Sequence, residues 1–230
     1  MENFMRPVQI QYPAFLLCLR VLRAILRVLR VQSLSVSLAL IVFGSPFAWA
    51  DETSHSRATF AGGCFWCMEP PYDRLDGVVE TISGFSGGHV SNPAYQDVVR
   101  GGTGHREVVQ VIYDPDVVDY DTLLQVFWRN IDPLDDGGQF CDRGSAYRTA
   151  IFAHGPEQSS KARASLDELN YSGRFDEPIV TPIIEFENFY AAEDYHQGYY
   201  QTNPVRYRYY RWRCGRDARL EELWGDQAGG

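Results

Sequence analysis

The 230-residue sequence is poor in several residue types, and each shortage excludes a class of protein. Basic residues number 21 against 30 acidic ones, with Lys161 the only lysine, so a nucleic-acid binder is not the default expectation. Only five residues are cysteine while 45% are hydrophobic, which excludes a disulfide-stapled mini-protein and a disordered chain. No repeat, low-complexity run or Pro/Gly-rich linker interrupts residues 56–226, so we expect a single domain there.

The basic residues that do cluster lie at the N-terminus. Residues 1–50 hold five arginines and one acid, which leaves 16 basic and 29 acidic residues for 51–230. An uncharged stretch over 31–50 ends in the small-x-small sequence AWA and is followed at once by two acids. This pattern predicts a signal peptide, cleaved after Ala50, and export, most simply to the periplasm. The apolar core is short for a membrane span, and an amphipathic surface helix or an uncleaved anchor is the alternative.

Strand and helix patterns alternate along the remaining 180 residues. Apolar alternation and turn signals predict strands at 58–61, 78–85, 105–113, 146–153 and 179–186. Helical spacing and start signals predict helices between 64 and 75, from Asn92-Pro93, over 119–130 and over 156–170. Residues 198–212 are aromatic and basic without a clear period. We therefore predict a single α+β domain over 51–230, a two-layer α/β sandwich of ferredoxin-like type with an irregular C-terminal extension.

The cysteine spacing points to redox chemistry. Removal of the leader would leave four cysteines. An even number in an oxidising compartment is typical of structural disulfides, yet a chain of about 180 residues builds a core without them. A Cys-x-x-Cys pair is more often redox-active or metal-binding, and zinc usually takes two such pairs. The second pair is missing, so we predict no metal site. The five cysteines are Cys18, which leaves with the leader, and Cys64, Cys67, Cys141 and Cys214.

The segment GGCFWCMEPP places one of these cysteines at a strand-to-helix turn. Gly62 and Gly63 permit a sharp turn, and Cys64 then falls at the first helical turn, where free N–H groups and the helix dipole favour a thiolate. Pro70-Pro71 fit this picture if only a short turn precedes them. The alternative is a free cysteine buried among aromatic residues.

The same segment resembles the active-site motif of the peptide methionine sulfoxide reductase A family, which is specific for the S-sulfoxide. Three further blocks match the family in the same order and together cover nearly all of residues 58–214, whereas the leader lies outside the resemblance. The blocks are SGFSGGHVSNPAYQDVVRGGTGHREVVQVIYDP, LLQVFWRNIDPLDDGGQFCDRGSAYRTAIF and FYAAEDYHQGYYQTNP.

The resemblance assigns roles to four residues. Cys64 corresponds to the nucleophile that attacks the sulfoxide sulfur and becomes a sulfenic acid. The departing oxygen needs a proton, and the family motif GHxE supplies the acid at Glu107, whose pKa burial would raise. Tyr95 and Tyr147 match the family's tyrosines that hydrogen-bond the oxygen. Without the resemblance, we would interpret Glu107 as a solvent-facing strand residue and both tyrosines as ordinary core or surface aromatic residues.

Four more positions resemble the family's substrate pocket. Phe65 and Trp66 correspond to the wall that receives the S-methyl group, although such a pair is by default part of a core. Asp142 resembles a pocket residue and could equally cap a loop. His196 resembles a histidine near the site.

Turnover requires a second thiol that condenses with the sulfenic acid. Cys67 ranks first because it is three residues from Cys64, and Cys214 and Cys141 follow in that order as alternatives. Cys67 departs from family members that have glycine there and resolving cysteines near the C-terminus. We expect no bound cofactor, an external dithiol reductant such as thioredoxin or a thioredoxin-like protein, oxidised proteins or free methionine sulfoxide as substrates, and a monomer.

Two other functions fit parts of the sequence. An exported thiol–disulfide oxidoreductase would use the Cys64–Cys67 pair, with Thr181-Pro182 imitating the residue before a cis-proline. A binding or adhesion module would use the tyrosine-rich tail as an interaction surface. Neither of them requires Glu107 to lie near Cys64.

Overall fold

The structure is a computed structural model that describes residues 55–229. The predicted signal peptide lies outside the described residues. The main sheet has six strands in the order β7-β6-β1-β3-β2-β8, and β4 pairs with β5 in a separate two-stranded ribbon. The strands are β1 (Ser56–Ala61), β2 (Val78–Ser86), β3 (Arg106–Tyr113), β4 (Gly138–Gln139), β5 (Asp142–Arg143), β6 (Ala150–Ala153), β7 (Ile183–Glu185) and β8 (Tyr190–Ala191).

Helices connect and cover the strands. Short 3₁₀ turns lie at Ser145–Tyr147, Asp194–His196 and Gly225–Gln227. No helix of the described part is long and apolar enough to cross a membrane. The helices are α1 (Phe65–Asp73), α2 (Tyr95–Arg100), α3 (Tyr120–Arg129), α4 (Pro156–Tyr171), α5 (Tyr199–Thr202), α6 (Pro204–Arg213) and α7 (Arg216–Trp224).

The register of the three central strands fixes what faces the first helix. β3 pairs antiparallel with both β1 and β2, so Phe60 lies opposite Val109 and Phe85 lies opposite Glu107. Because side chains alternate along a strand, Glu107 and Val109 share one face of β3, and Val108 points to the other. Glu107 is therefore held on the same face of the sheet as the apolar core.

The core consists of aromatic and aliphatic side chains between this face and the helices. The Phe60 ring stacks on Tyr72 of α1 at 5.4 Å and on Phe127 of α3 at 5.2 Å. Phe60, Tyr72 and Phe127 are fully buried. Burial of such rings contributes roughly 2–3 kcal/mol each, so α1 is anchored firmly behind its first turn.

The predicted mixed α/β domain is confirmed, and the narrower ferredoxin-like type stays a prediction. The expected irregular extension is wrong, because α5, α6 and α7 follow one another over residues 199–224. Four arginines and four tyrosines or tryptophans in α6 leave no clean apolar stripe, so the sequence shows no helical period there. Pro204 takes the first helical position, where its missing N–H costs nothing.

The predicted helix start at Asn92-Pro93 is wrong. Asn92 adopts a left-handed conformation with φ 48°, and α2 begins only at Tyr95, where Asp97 accepts from the backbone N–H of Ala94. The helix predicted between 64 and 75 is α1, and Pro70 and Pro71 lie inside it after its first turn. The two prolines remove two helical hydrogen bonds, and the packing of Met68 and Tyr72 in the core offsets that loss.

Candidate active site

Two glycines after β1 let the chain turn into α1. A Cβ atom on Gly62 would come within 2.5 Å of Met68 Sδ, and Gly63 has φ +81°. Cys64 then takes the N-cap position of α1, as its place after the glycines predicts. Cys64 and Cys67 are free thiols, 5% and 2% exposed. Both sulfurs therefore belong to the first turn of α1.

The two thiols influence each other, and their pKa values move apart. Burial raises the pKa of Cys64 well above that of an ordinary thiol. The neighbouring thiol of Cys64 lowers the pKa of Cys67 to about 6, with help from the nearby positive charges of Arg216 and Arg211. The expected lowering of the Cys64 pKa is thus wrong, because burial and the nearby acidic groups raise it. The thiolate of the pair belongs to Cys67.

A small cleft of about 70 Å³ opens beside Cys64. Side chains from α1, α2, β3, β5, the turn before β6 and α6 converge on it. The cleft brings together eight residues that are up to 146 positions apart in the sequence. The sequence analysis named seven of them as site residues. It is lined by Cys64, Phe65, Trp66, Tyr95, Glu107, Asp142, Tyr147 and Tyr210.

Glu107 is the acid of the cleft. Its side chain is 1% exposed, and Oε2 accepts the backbone N–H of Phe65 at 3.1 Å. Burial raises the pKa of Glu107 to about 8, despite the opposing effect of that hydrogen bond. The carboxyl is therefore protonated at neutral pH and can donate a proton in the cleft.

The two predicted tyrosines face Glu107 from different elements. Tyr95 begins α2, and Tyr147 ends the 3₁₀ turn before β6. Burial raises the pKa of Tyr95 to about 12 and raises that of Tyr147 further. Both hydroxyls stay protonated, so they are uncharged donors in the same cleft as the carboxyl.

An aromatic layer closes one side of the cleft. The Trp66 ring stacks on Tyr199 of α5 at 3.9 Å, and its indole N–H donates to Nδ1 of His196 at 3.2 Å. His196 lies against Phe65, with ring centroids 5.1 Å apart, and does not line the cleft. Burial lowers the pKa of His196, so the ring is neutral and can accept this hydrogen bond. The histidine therefore orients the aromatic wall from behind.

Asp142 is held in the cleft by α6. Tyr210 donates its hydroxyl hydrogen to Asp142 Oδ2, and burial raises the pKa of the aspartate. The neighbouring residue Cys141 forms a disulfide with Cys214, which follows α6. The strand with Asp142 is therefore tied to the helix with Tyr210 by both a covalent bond and a hydrogen bond.

Known proteins resemble this chain over most of the described domain. A sequence profile described as "Peptide methionine sulfoxide reductase" matches residues 56–228. The peptide methionine sulfoxide reductase MsrA of Bacillus subtilis is 52% identical over 168 residues, which cover 73% of this chain and 95% of that protein. The MsrA of Bacillus pumilus is 50% identical over 171 residues, covering 74% and 96%. The chain belongs to the peptide methionine sulfoxide reductase family.

Solved structures of methionine sulfoxide reductases superimpose on the same domain. Methionine sulfoxide reductase A of Corynebacterium diphtheriae aligns with a TM-score of 0.60 and 32% identity, over 70% of this chain and 78% of that one. Reduced Mxr1 of Saccharomyces cerevisiae aligns with a TM-score of 0.61 and 34% identity, over 67% and 88%. The aligned parts share the α/β fold described above.

Sequence reasoning missed two residues at the site of this family member. Tyr210 lines the cleft, but it is one of five tyrosines in the tail and no local signal distinguished it. Arg216 is 1% exposed and donates to the carbonyl oxygens of Gly62 at 3.1 Å and Asn130 at 2.6 Å. Its spacing two residues after Cys214 gave no sign that it reaches the turn before Cys64.

Proposed function

We propose that the protein reduces methionine S-sulfoxide, free or within oxidised proteins, to methionine. The observation that carries the proposal is the shared cleft: the Cys64 thiol, the protonated Glu107 carboxyl and two tyrosine hydroxyls converge there. A sulfoxide needs these three groups, because its sulfur takes a nucleophile while its oxygen needs a proton and hydrogen bonds before it leaves.

In the first step the Cys64 sulfur attacks the sulfoxide sulfur. Glu107 donates its proton to the oxygen, Tyr95 and Tyr147 hydrogen-bond it, and the thiol proton of Cys64 restores the carboxyl. The oxygen moves to Cys64 as a sulfenic acid, and the substrate leaves as the thioether. Cys64 loses two electrons, the sulfoxide gains them, and no net proton is consumed. The aromatic wall of Phe65 and Trp66 receives the methyl group.

In the second step Cys67 resolves the sulfenic acid. The thiolate of Cys67 attacks the Cys64 sulfur, a disulfide forms, and hydroxide leaves as water after taking a proton. This role is supported by the lowered pKa of Cys67 and by its place in the same helical turn as Cys64. It is supported further by the bond between Cys141 and Cys214, which occupies both alternative sulfurs. A thioredoxin-like dithiol then reopens the Cys64–Cys67 disulfide.

Two serine variants test this cycle. Cys64→Ser should form no methionine from L-methionine S-sulfoxide, in one turnover or many. Cys67→Ser should form about one equivalent of methionine per protein and then stop with a dithiol reductant. Product is measured by chromatography after rapid quench. Retained activity in Cys64→Ser refutes the nucleophile, and full cycling in Cys67→Ser moves the resolving role to another cysteine.

A thiol–disulfide oxidoreductase is the second candidate, favoured by one observation: Cys67 is a low-pKa thiol in a Cys-x-x-Cys pair. It leaves Glu107 and both tyrosines of the cleft without a purpose. Insulin reduction in the presence of dithiothreitol separates the two functions, since a sulfoxide reductase should not exceed the uncatalysed rate.

We also propose that the protein is exported and loses residues 1–50. The proposal rests on the basic segment, the apolar stretch and the AWA sequence. The mature protein should begin at Asp51, which mass spectrometry of the periplasmic fraction of an expressing Gram-negative cell would measure. Gel filtration of that mature protein tests the expected monomer.

A further inference from the structure

Helix α6 carries positive charge beside the cleft of an otherwise acidic protein. The whole chain has a formal net charge of −9, but residues 199–214 contain four arginines and no acidic residue. Arg211 is paired with Asp217 at 2.6 Å. Among residues 55–229, no carboxylate lies within 4.0 Å of Arg206, Arg208 or Arg213. All three are exposed, so their charge faces solvent.

Two of these arginines lie next to the cleft. Tyr210 of α6 lines it, and Arg206 and Arg213 are four residues before and three residues after Tyr210. Residues with this spacing point within about 60° of one another and lie roughly one turn apart along the helix. Helical spacing therefore places Arg206 and Arg213 on the face of α6 that bears Tyr210, one on each side of it.

The same edge also offers an aromatic contact. Tyr209 is 59% exposed and precedes Tyr210, and its ring lies 6.1 Å from that of Trp212, which is 74% exposed. Exposed tyrosine and arginine side chains are typical of surfaces that bind polypeptides. We call Arg206, Tyr209 and Arg213 the α6 rim.

We propose that the α6 rim binds acidic residues next to the oxidised methionine of a polypeptide substrate, so that the protein prefers methionine sulfoxide in acidic segments. The inference rests on the proposed function. A methionine side chain in the cleft brings its neighbouring residues within roughly 3–7 Å along the chain, which matches the spacing of the rim around Tyr210. The cationic leader, with five arginines and one acid, has the wrong charge for this surface.

The test compares three short peptides with dithiothreitol as reductant. Each has a central methionine S-sulfoxide flanked on both sides by two aspartates, two serines or two lysines, with acetylated and amidated ends. We expect the aspartate peptide to have a kcat/KM about tenfold above the serine peptide and the lysine peptide to be worst, with the differences shrinking in 0.5 M NaCl.

Charge reversal on the rim identifies the residues. The double variant Arg206→Glu/Arg213→Glu should lose about tenfold in kcat/KM for the aspartate peptide, gain for the lysine peptide and keep its rate on free methionine sulfoxide. Arg208→Glu is the matched control, because Arg208 is two residues from Tyr210 and points to the other side of α6. It should leave the order of the peptides unchanged.

Each outcome decides between the two proposals. If the wild-type protein reduces free methionine sulfoxide but treats the three peptides alike, the rim proposal is refuted and the proposed function stands. If no sulfoxide is reduced, the proposed function fails. If the double variant is impaired only when a thioredoxin replaces dithiothreitol, the rim binds the reductant and the substrate proposal is refuted.

Discussion

Replacing Glu107 by glutamine removes an acidic proton while keeping the size of the side chain and the acceptor for the Phe65 N–H. The folded protein holds the Glu107 proton with a pKa of about 8, against an ordinary value of 4.5. Between these two pH values the folded state binds more protons than the unfolded state. The carboxyl therefore lowers the stability of the wild-type protein as pH rises through this window, and the glutamine variant is free of that effect.

The size of the effect follows from the same two values. A tenfold difference in proton affinity is worth about 1.4 kcal/mol. Between pH 5 and pH 8 the Glu107→Gln variant should gain about 3–4 kcal/mol of unfolding free energy relative to wild type. All other titrating groups are common to both proteins and largely cancel in this comparison.

The assay is urea unfolding followed by tryptophan fluorescence at pH 5, 6, 7 and 8, paired with rapid-quench measurement of a single turnover. The variant should be more stable than wild type at pH 8 and should form methionine far more slowly. Glu185→Gln, at an exposed position of β7, is the matched control for removing one carboxylate. A stability difference for Glu107→Gln that is constant across the four pH values would refute a protonated, buried acid.

Three further perturbations test other parts of the site. Tyr147→Phe removes one donor to the departing oxygen and should slow a single turnover roughly 100-fold in rapid-quench assays, with little change in the urea midpoint. The double variant Cys141→Ser/Cys214→Ser opens a 73-residue loop and should cost about 4 kcal/mol in urea unfolding, yet still cycle with dithiothreitol. Arg216→Met leaves two buried carbonyl oxygens unpaired and should lower the free energy of unfolding in urea by about 3 kcal/mol. It also removes a positive charge near Cys67, so the pKa of Cys67, measured from the pH dependence of its alkylation by mass spectrometry, should rise above about 6. Unchanged alkylation would remove the arginine from the thiol pair.

The sequence was most informative where a local pattern determines local structure. The Gly62-Gly63 turn placed Cys64 at a helix start, as the structure has it, and β3 holds Glu107 on one face with Val109. Burial of that face, and hence the raised pKa of Glu107, depends on α1 and α3 packing from distant parts of the chain. The sequence could say only that the pKa of Glu107 would rise if the residue were buried.

Long-range pairings were beyond the sequence. Four cysteines allow several disulfide pairings, and nothing in the spacing of Cys141 and Cys214 indicated that they pair. Tyr210 and Arg216 reach the site because α6 and α7 fold back over α1, and a helix rich in arginine and tyrosine has too little apolar contrast to predict that return. The tail that suggested a binding module instead covers the two thiols with Tyr199, Tyr207 and Tyr210.

The two prolines inside α1 affect how easily its first turn can move. Because Pro70 and Pro71 have no N–H, the carbonyl oxygens of Trp66 and Cys67 receive no helical hydrogen bond from them. The turn that bears both thiols is thus linked to the rest of α1 by fewer bonds than an ordinary helix start, while Phe60, Tyr72 and Phe127 hold the second half rigid. We therefore expect a local opening of this turn to break fewer hydrogen bonds than it would in an ordinary helix and to leave the sheet beneath it folded.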